Sequence, residues 1–213
     1  MKKVFREPFN GISHLIGAIL STWGLVALLK RANLYGTSSH IIAFAIFGAS
    51  LIMLYTTSAI YHLVNASEEV INILRHLDHM MIYILIAGTY TPFCVIAFGS
   101  KGTSILIAIW VLAIIGVVTT GFWLNAPRWF YTLIYLVMGW LIVVKTPLTI
   151  RTIGMSGFGL LLAGGILYSI GAFIYATKRP KIASSVLGFH EIFHLFIMAG
   201  SFCHYWAALT KLI

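Results

Sequence analysis

Residues 160–176 read LLLAGGILYSIGAFIYA, seventeen positions without a charge. A membrane β-strand would alternate apolar and polar residues over about ten positions, and this stretch does not alternate. Coiled as a helix it is apolar on every face, the signature of a helix surrounded by other apolar groups or by lipid. Composition decides for lipid. Of 213 residues, 60% are hydrophobic and 9% charged, with a mean hydropathy of +0.97. A soluble domain carries about 25% charged residues. A surface so poor in charge would not stay in water, so the sequence describes an integral membrane protein.

Working outward, seven stretches have the about 20 mostly apolar residues that a transmembrane helix needs. They are 12–29, 41–64, 79–98, 104–124, 130–148, 157–176 and 186–209. Between them lie KRANLYGTSSH, NASEEVINILRH, GSKGT, NAPRW, TIRTIGMSG and TKRPKIASS, where Lys, Arg, Asn, Pro, Gly and Ser cluster as connectors require. Gly17, Ala18, Gly116, Gly121, Gly164, Gly165 and Gly171 fall within spans and permit close helix contact. The expected architecture is an all-α membrane protein, a single seven-transmembrane helix bundle over 1–213.

The net charge of +9 does not point to nucleic acid, because the basic residues come in ones, twos and threes between apolar runs. That is the pattern of membrane-flanking anchors. Seven spans put the termini on opposite sides. One side holds Lys2, Lys3, Arg6, Arg75, Arg128, Lys178, Arg179 and Lys181; the other holds Lys30, Arg31, Lys101, Lys145, Arg151 and Lys211. The excess on the N-terminal side places the N-terminus in the cytoplasm and the C-terminus outside. The basic start MKKVFREPFNGISHLIG has no small-residue cleavage site after a short apolar core, which reads as an uncleaved signal anchor. Cys94 and Cys203 each lie inside an apolar segment and read as small buried hydrophobes, without a disulfide framework.

Ionisable residues in spans are costly and default to functional candidates. His62 lies near the end of span 2, one helical turn after Ser58. Asp78 and His79 open span 3, and His190, Glu191 and His194 lie in the first turns of span 7. With alternating spans all of these face the N-terminal side, where Asn10 and His14 also lie. His190 and His194, four apart, project from one helix face and can grip one ion. Three neutral histidines leave the fourth position of a tetrahedral zinc open, the arrangement of catalytic sites, and Asp78 would handle a proton beside it. His204, ten residues beyond His194, is about 15 Å further along the axis and cannot share that ion.

His190-Glu191-Ile192-Phe193-His194 also matches H-E-x-x-H, a zinc-protease signature. The match fails in its surroundings. No acidic residue follows Glu191, and Ile197 and Gly200 occupy the positions where the extended protease motif has Gly and His. Glu191 points about 100° away from His190, and pairing with a basic residue at the membrane edge is as good a role for it as catalysis. Histidines that pack by hydrogen bonding remain the bland alternative to a metal site.

These residues resemble a known family. Glu7-Pro8-x-Asn10 followed by His14, then Ser58-Ala59-Ile60-Tyr61-His62, Asp78-His79, AGTYTPF at 87–93, and His190-x-x-x-His194 with His204 are similar to the hemolysin III family. These are bacterial members of the superfamily that contains the progestin and adiponectin receptors. The resemblance covers essentially the whole chain. It implies a multi-pass protein of the bacterial inner membrane, seven helices with a cytoplasmic N-terminus, and Zn2+ held by His62, His190 and His194, with Ser58 and Asp78 beside the metal. It further implies a hydrolase of lipid amides, because the receptors resemble membrane hydrolases that include alkaline ceramidases. The receptors' long N-terminal extension is missing here, so hormone binding is not implied. Where this chain has Glu191 the receptors carry an uncharged residue, which speaks against an obligatory catalytic glutamate.

Two functions therefore stand side by side: a zinc-dependent hydrolase acting on membrane lipid, and a non-enzymatic factor in membrane-lipid homeostasis with structural zinc. A pore-forming, lytic protein and an intramembrane zinc protease stand further off. Membrane lipid is the expected partner, and no residue pattern singles out a protein partner.

Overall fold

The computed structural model of the chain describes residues 4–123, 127–181 and 187–213. Lys2 and Lys3 of the charge count, the last position of 104–124 and the first of 186–209 lie outside the described residues, as do parts of NAPRW and TKRPKIASS. Among the described residues the α-helices run in order: α1 (Pro8–Tyr35), α2 (Ser38–Leu63), α3 (Glu68–Pro92), α4 (Thr103–Phe122), α5 (Arg128–Trp140), α6 (Thr146–Thr177) and α7 (Phe189–Lys211). The described residues contain no strand.

Local chemistry sets the boundaries. Pro8 opens α1, where a missing N–H costs nothing. Thr37 precedes α2, its hydroxyl 2.9 Å from His40 Nδ1, so His40 is a capping group and no part of a site. Ser67 accepts from Val70 N, and Glu68 and Glu69 favour the positive end of α3. That cap starts α3 well before the span expected over 79–98. NASEEVINILRH is thus mostly helix, and Asp78 and His79 sit about three turns inside α3 rather than at its opening. Hydropathy missed those turns because they are amphipathic.

Among the described residues six segments are long and apolar enough to cross a membrane, one fewer than the seven spans expected. The difference lies in Arg128–Thr177, 50 residues that hold both 130–148 and 157–176. Run straight, it would extend about 75 Å, against about 30 Å of hydrocarbon. It does not run straight. Gly154 has φ 73° and ψ 170°, a backbone open to glycine and strained for other residues. Trp140 Nε1 donates to Ser169 Oγ at 2.9 Å across 29 positions, so the chain folds back on itself with its apex near Gly154.

Helices adjacent in sequence pack side by side: α1 on α2, α2 on α3, α3 on α4 and α6 on α7, with α7 also reaching α1. One buried cluster joins Leu28, Phe44, Phe47, Leu51 and Ala207; a second joins Tyr83, Tyr90, Ile109, Ala113 and Met138. Gly116 carries the expected close contact, since any Cβ there would collide with the Tyr83 ring. Large apolar groups such as Trp23 (70% exposed) and Phe173 (66%) point outward, a surface suited to lipid and not to water. Cys94 is buried, Cys203 half-buried, and both are free. Where α5 tightens into the 3-10 turn Leu141–Lys145, Tyr90 Oη donates towards the carbonyls of Met138 and Gly139 and accepts from Ile142 N. Backbone groups loosened inside an apolar bundle need such partners.

Candidate metal centre

The centre begins with a backbone accident of α2. The last carbonyls of a helix lack partners within it. Glu7 N donates to His62 O at 2.9 Å and Arg6 N to Leu63 O at 3.4 Å, so the segment before α1 lies along the end of α2. This sets the Glu7 carboxylate against the fully buried His62, with Oε2 2.6 Å from Nδ1. The hydrogen bond from His62 holds the Glu7 carboxyl down at about 2, against the opposing effect of partial burial and with help from Arg6. An ionised carboxylate can only accept, so His62 Nδ1 donates to Glu7 and Nε2 is the ring nitrogen left for another partner. Arg6 itself is fixed by a 2.6 Å bond to Tyr61 O and lies 4.3 Å over the Tyr61 ring.

Helix α7 supplies the other two imidazoles. His190 and His194 rings are 4.9 Å apart, and His62 is 5.1 and 4.8 Å from them. One nitrogen from each of the three falls within 4.8 Å of the others. His62 Nε2 and His194 Nδ1 are buried and have no hydrogen-bond partner among the described residues. Each buried acceptor left unpaired costs about 1–3 kcal/mol, and one cation between the rings would satisfy both. The donor set fits a divalent ion that favours imidazole. His62, His190 and His194 could therefore bind a metal ion.

The neighbours of the trio differ from their expected roles. Glu191 pairs with no basic residue among the described residues. Its Oε1 accepts from Asn10 Nδ2 at 3.0 Å and its Oε2 from Gly188 N at 2.9 Å, which ties α1 to the first turn of α7. The i to i+1 geometry turned it away from the histidine trio, and a helix start offered it an N–H. His14, 3% exposed, stacks on His194 with centroids 3.8 Å apart, and neither ring nitrogen has a partner among the described residues. His76 bonds Asn72 O and His79 lies 3.4 Å from Tyr175 Oη, so both stand apart from the trio.

Ser58, 2% exposed and one turn before His62, interacts with Asp78 across the α2–α3 interface. Both open onto a cavity of about 540 Å³ that also touches His14, His190 and His194. The cavity runs on past Ile82, Leu161 and Ile197 to Thr149, Tyr168 and His204. His204 stacks on Tyr168, with centroids 5.4 Å apart. It is remote from the trio, as its spacing requires, yet it shares the cavity with it. The Glu7–His62 bond was not foreseen. Its only trace in the sequence is a carboxylate just ahead of Pro8, in the stretch that starts the family resemblance.

Fold and site together define a class: a multi-pass helical membrane protein with a three-histidine cluster at one end of an internal cavity. The chain belongs to the Haemolysin-III related family, whose sequence profile matches residues 2–205. It is 41% identical to Hemolysin-3 of Bacillus cereus over 199 residues, 93% of this chain and 88% of that protein. It is 37% identical to the Hemolysin-3 homolog of Bacillus subtilis (strain 168) over 210 residues, 98% and 95% of the two chains. A more distant relative is Progestin and adipoQ receptor-like protein 1 of Caenorhabditis elegans, 25% identical over 218 aligned residues. That match covers 94% of this chain and 50% of the relative.

Proposed function

We propose that the protein is a zinc-dependent hydrolase of membrane lipid amides or esters in the bacterial inner membrane. The observation that carries this reading is the trio itself: three imidazoles with nitrogens within 4.8 Å of one another, two of which, His190 and His194, line a cavity that Asp78 also lines. His62, His190 and His194 would hold the ion. The chemistry supplied by bound zinc is Lewis acidity towards a carbonyl and towards water. The remaining work falls to the chain. Glu7 holds His62 in the tautomer that presents Nε2. Asp78, steadied by Ser58, accepts a proton at its carboxylate, and the apolar reach towards Leu161 and Ile197 takes an acyl chain and excludes water.

The proposal includes seven crossings, with the N-terminus cytoplasmic and the C-terminus outside. Its support is the fold-back of Arg128–Thr177 at Gly154, which makes two crossings of one long segment. With that count, the trio lies at the cytoplasmic end.

A second reading, a non-enzymatic regulator of membrane lipid state, also has an observation in its favour. Helices α2 and α7 do not pack extensively against each other, so a metal held by His62 and His194 would clamp them. One experiment separates the two. Purified protein is assayed for zinc by mass spectrometry and for release of fatty acid from a panel of lipid amides and esters. Zinc near one per chain, turnover by the wild type and loss of turnover in Asp78→Asn with zinc retained support the hydrolase. Zinc without turnover of any lipid supports the regulator.

A further inference from the structure

Two arginines at the metal end of the cavity have no partner in the chemistry above. Arg75 on α3 and Arg128 at the start of α5 both line the cavity, with His79, Tyr175 and His190. They come from different helices, α3 and α5, and line the same cavity beside His79 and Tyr175. Arg128 lies over the Tyr175 ring with Cζ 5.1 Å from its centroid. Among the described residues neither arginine forms an ion pair; Arg6 alone does so with a carboxylate, Glu7. Two acids line the same cavity: Glu7 is engaged by His62 and Arg6, and Asp78 interacts with Ser58.

A topology signal explains a basic residue at a membrane edge, but it does not require the residue to face a cavity. Two guanidiniums lining one cavity offer ten N–H donors in fork geometry, the chemistry that takes phosphate or carboxylate oxygens. Arg75 lies about 10 Å along α3 from Glu68, near lipid head-group depth, with the apolar part of the cavity beyond.

We propose that Arg75 and Arg128 form an oxyanion subsite that holds the phosphate or carboxylate head of a lipid while its chain lies in the cavity. This rests on the reading that the cavity takes lipid, and it narrows the substrate class to anionic lipids. A neutral head group would leave both charges unmatched.

The test uses full-length protein in an uncharged detergent, with zinc content measured in every sample. Binding of dodecyl phosphate, dodecanol and inorganic phosphate is measured by native mass spectrometry and thermal shift. Wild type is compared with Arg75→Gln, Arg128→Gln, the double variant, and Arg151→Gln as an exposed control. Dodecyl phosphate affinity is expected to fall roughly tenfold to a hundredfold in the double variant and several-fold in each single variant. Dodecanol binding and the Arg151→Gln control should stay as in wild type. The single variants keep the test open if the double variant does not fold. Unchanged dodecyl phosphate affinity in both singles overturns the proposal, as does a wild type that binds dodecanol equally well. Inorganic phosphate binding as tightly as dodecyl phosphate assigns the site to a free anion and overturns the lipid. Arginine-dependent binding in zinc-free protein supports the subsite while removing the hydrolase reading; zinc with arginine-independent binding does the reverse.

Discussion

His62 Nδ1 donates to Glu7 Oε2 at 2.6 Å, and the same two residues are joined through their backbones, Glu7 N to His62 O at 2.9 Å. The double tie fixes which imidazole nitrogen faces His190 and His194. A carboxylate behind a metal-ligating histidine sets its ring orientation and raises its basicity, and losing one costs about 10- to 100-fold in metal affinity. Glu7→Gln is therefore expected to weaken zinc binding by that factor with the fold intact. Competition against a chelator of known affinity reads the change, and an unaltered affinity would remove Glu7 from the metal's surroundings.

Removing the metal should loosen the α2–α7 contact. Chelator treatment is expected to lower the melting temperature of wild type and to leave His62→Ala unmoved. The His190→Ala/His194→Ala variant should hold no zinc. Equal chelator shifts in wild type and His62→Ala would place the ion elsewhere.

Asp78→Asn keeps the shape of the side chain but removes its capacity to take a proton. Hydrolysis should fall by about 10²- to 10⁴-fold while zinc stays bound. Ser58→Ala, which removes only a partner of the carboxylate, should cost less. Undiminished turnover in Asp78→Asn would leave proton handling to another group.

The turn at Gly154 can be read from either side of the membrane. In a Cys94→Ala/Cys203→Ala background, Met155→Cys should react with an impermeant thiol reagent added to intact cells, since Met155 is 67% exposed. Arg179→Cys should react only after the membrane is opened. Labelling of both from outside, or of neither, defeats the seven-crossing topology.

Gly154→Ala is expected to destabilise the protein by about 1–2 kcal/mol, because a Cβ is strained at φ 73°. An open surround, with nothing within 4 Å of the Cβ position, leaves backbone strain as the cause. A melting temperature equal to wild type would mean that the turn has another form.

Much of this protein was legible before folding because its signals are local. A run such as 160–176 can exist only as a helix among apolar neighbours, and the four-residue spacing of His190 and His194 already aligns two rings. The pairing of His62 with them could be expected because alternating helices return distant residues to one membrane depth. The sequence did not show which polar groups meet at that depth. Glu7 reaches His62 because the end of α2 needs donors for its last carbonyls, and Glu191 is drawn away to Asn10 and the first turn of α7. The early start of α3, the fold-back of Trp140 onto Ser169, the meeting of Arg75 and Arg128 in one cavity lining, and the shared cavity of His194 and His204 all depend on how helices pack in three dimensions. Hydropathy and spacing act along one helix at a time; the partner of a buried polar atom is chosen by which neighbouring helix supplies the nearest complementary group.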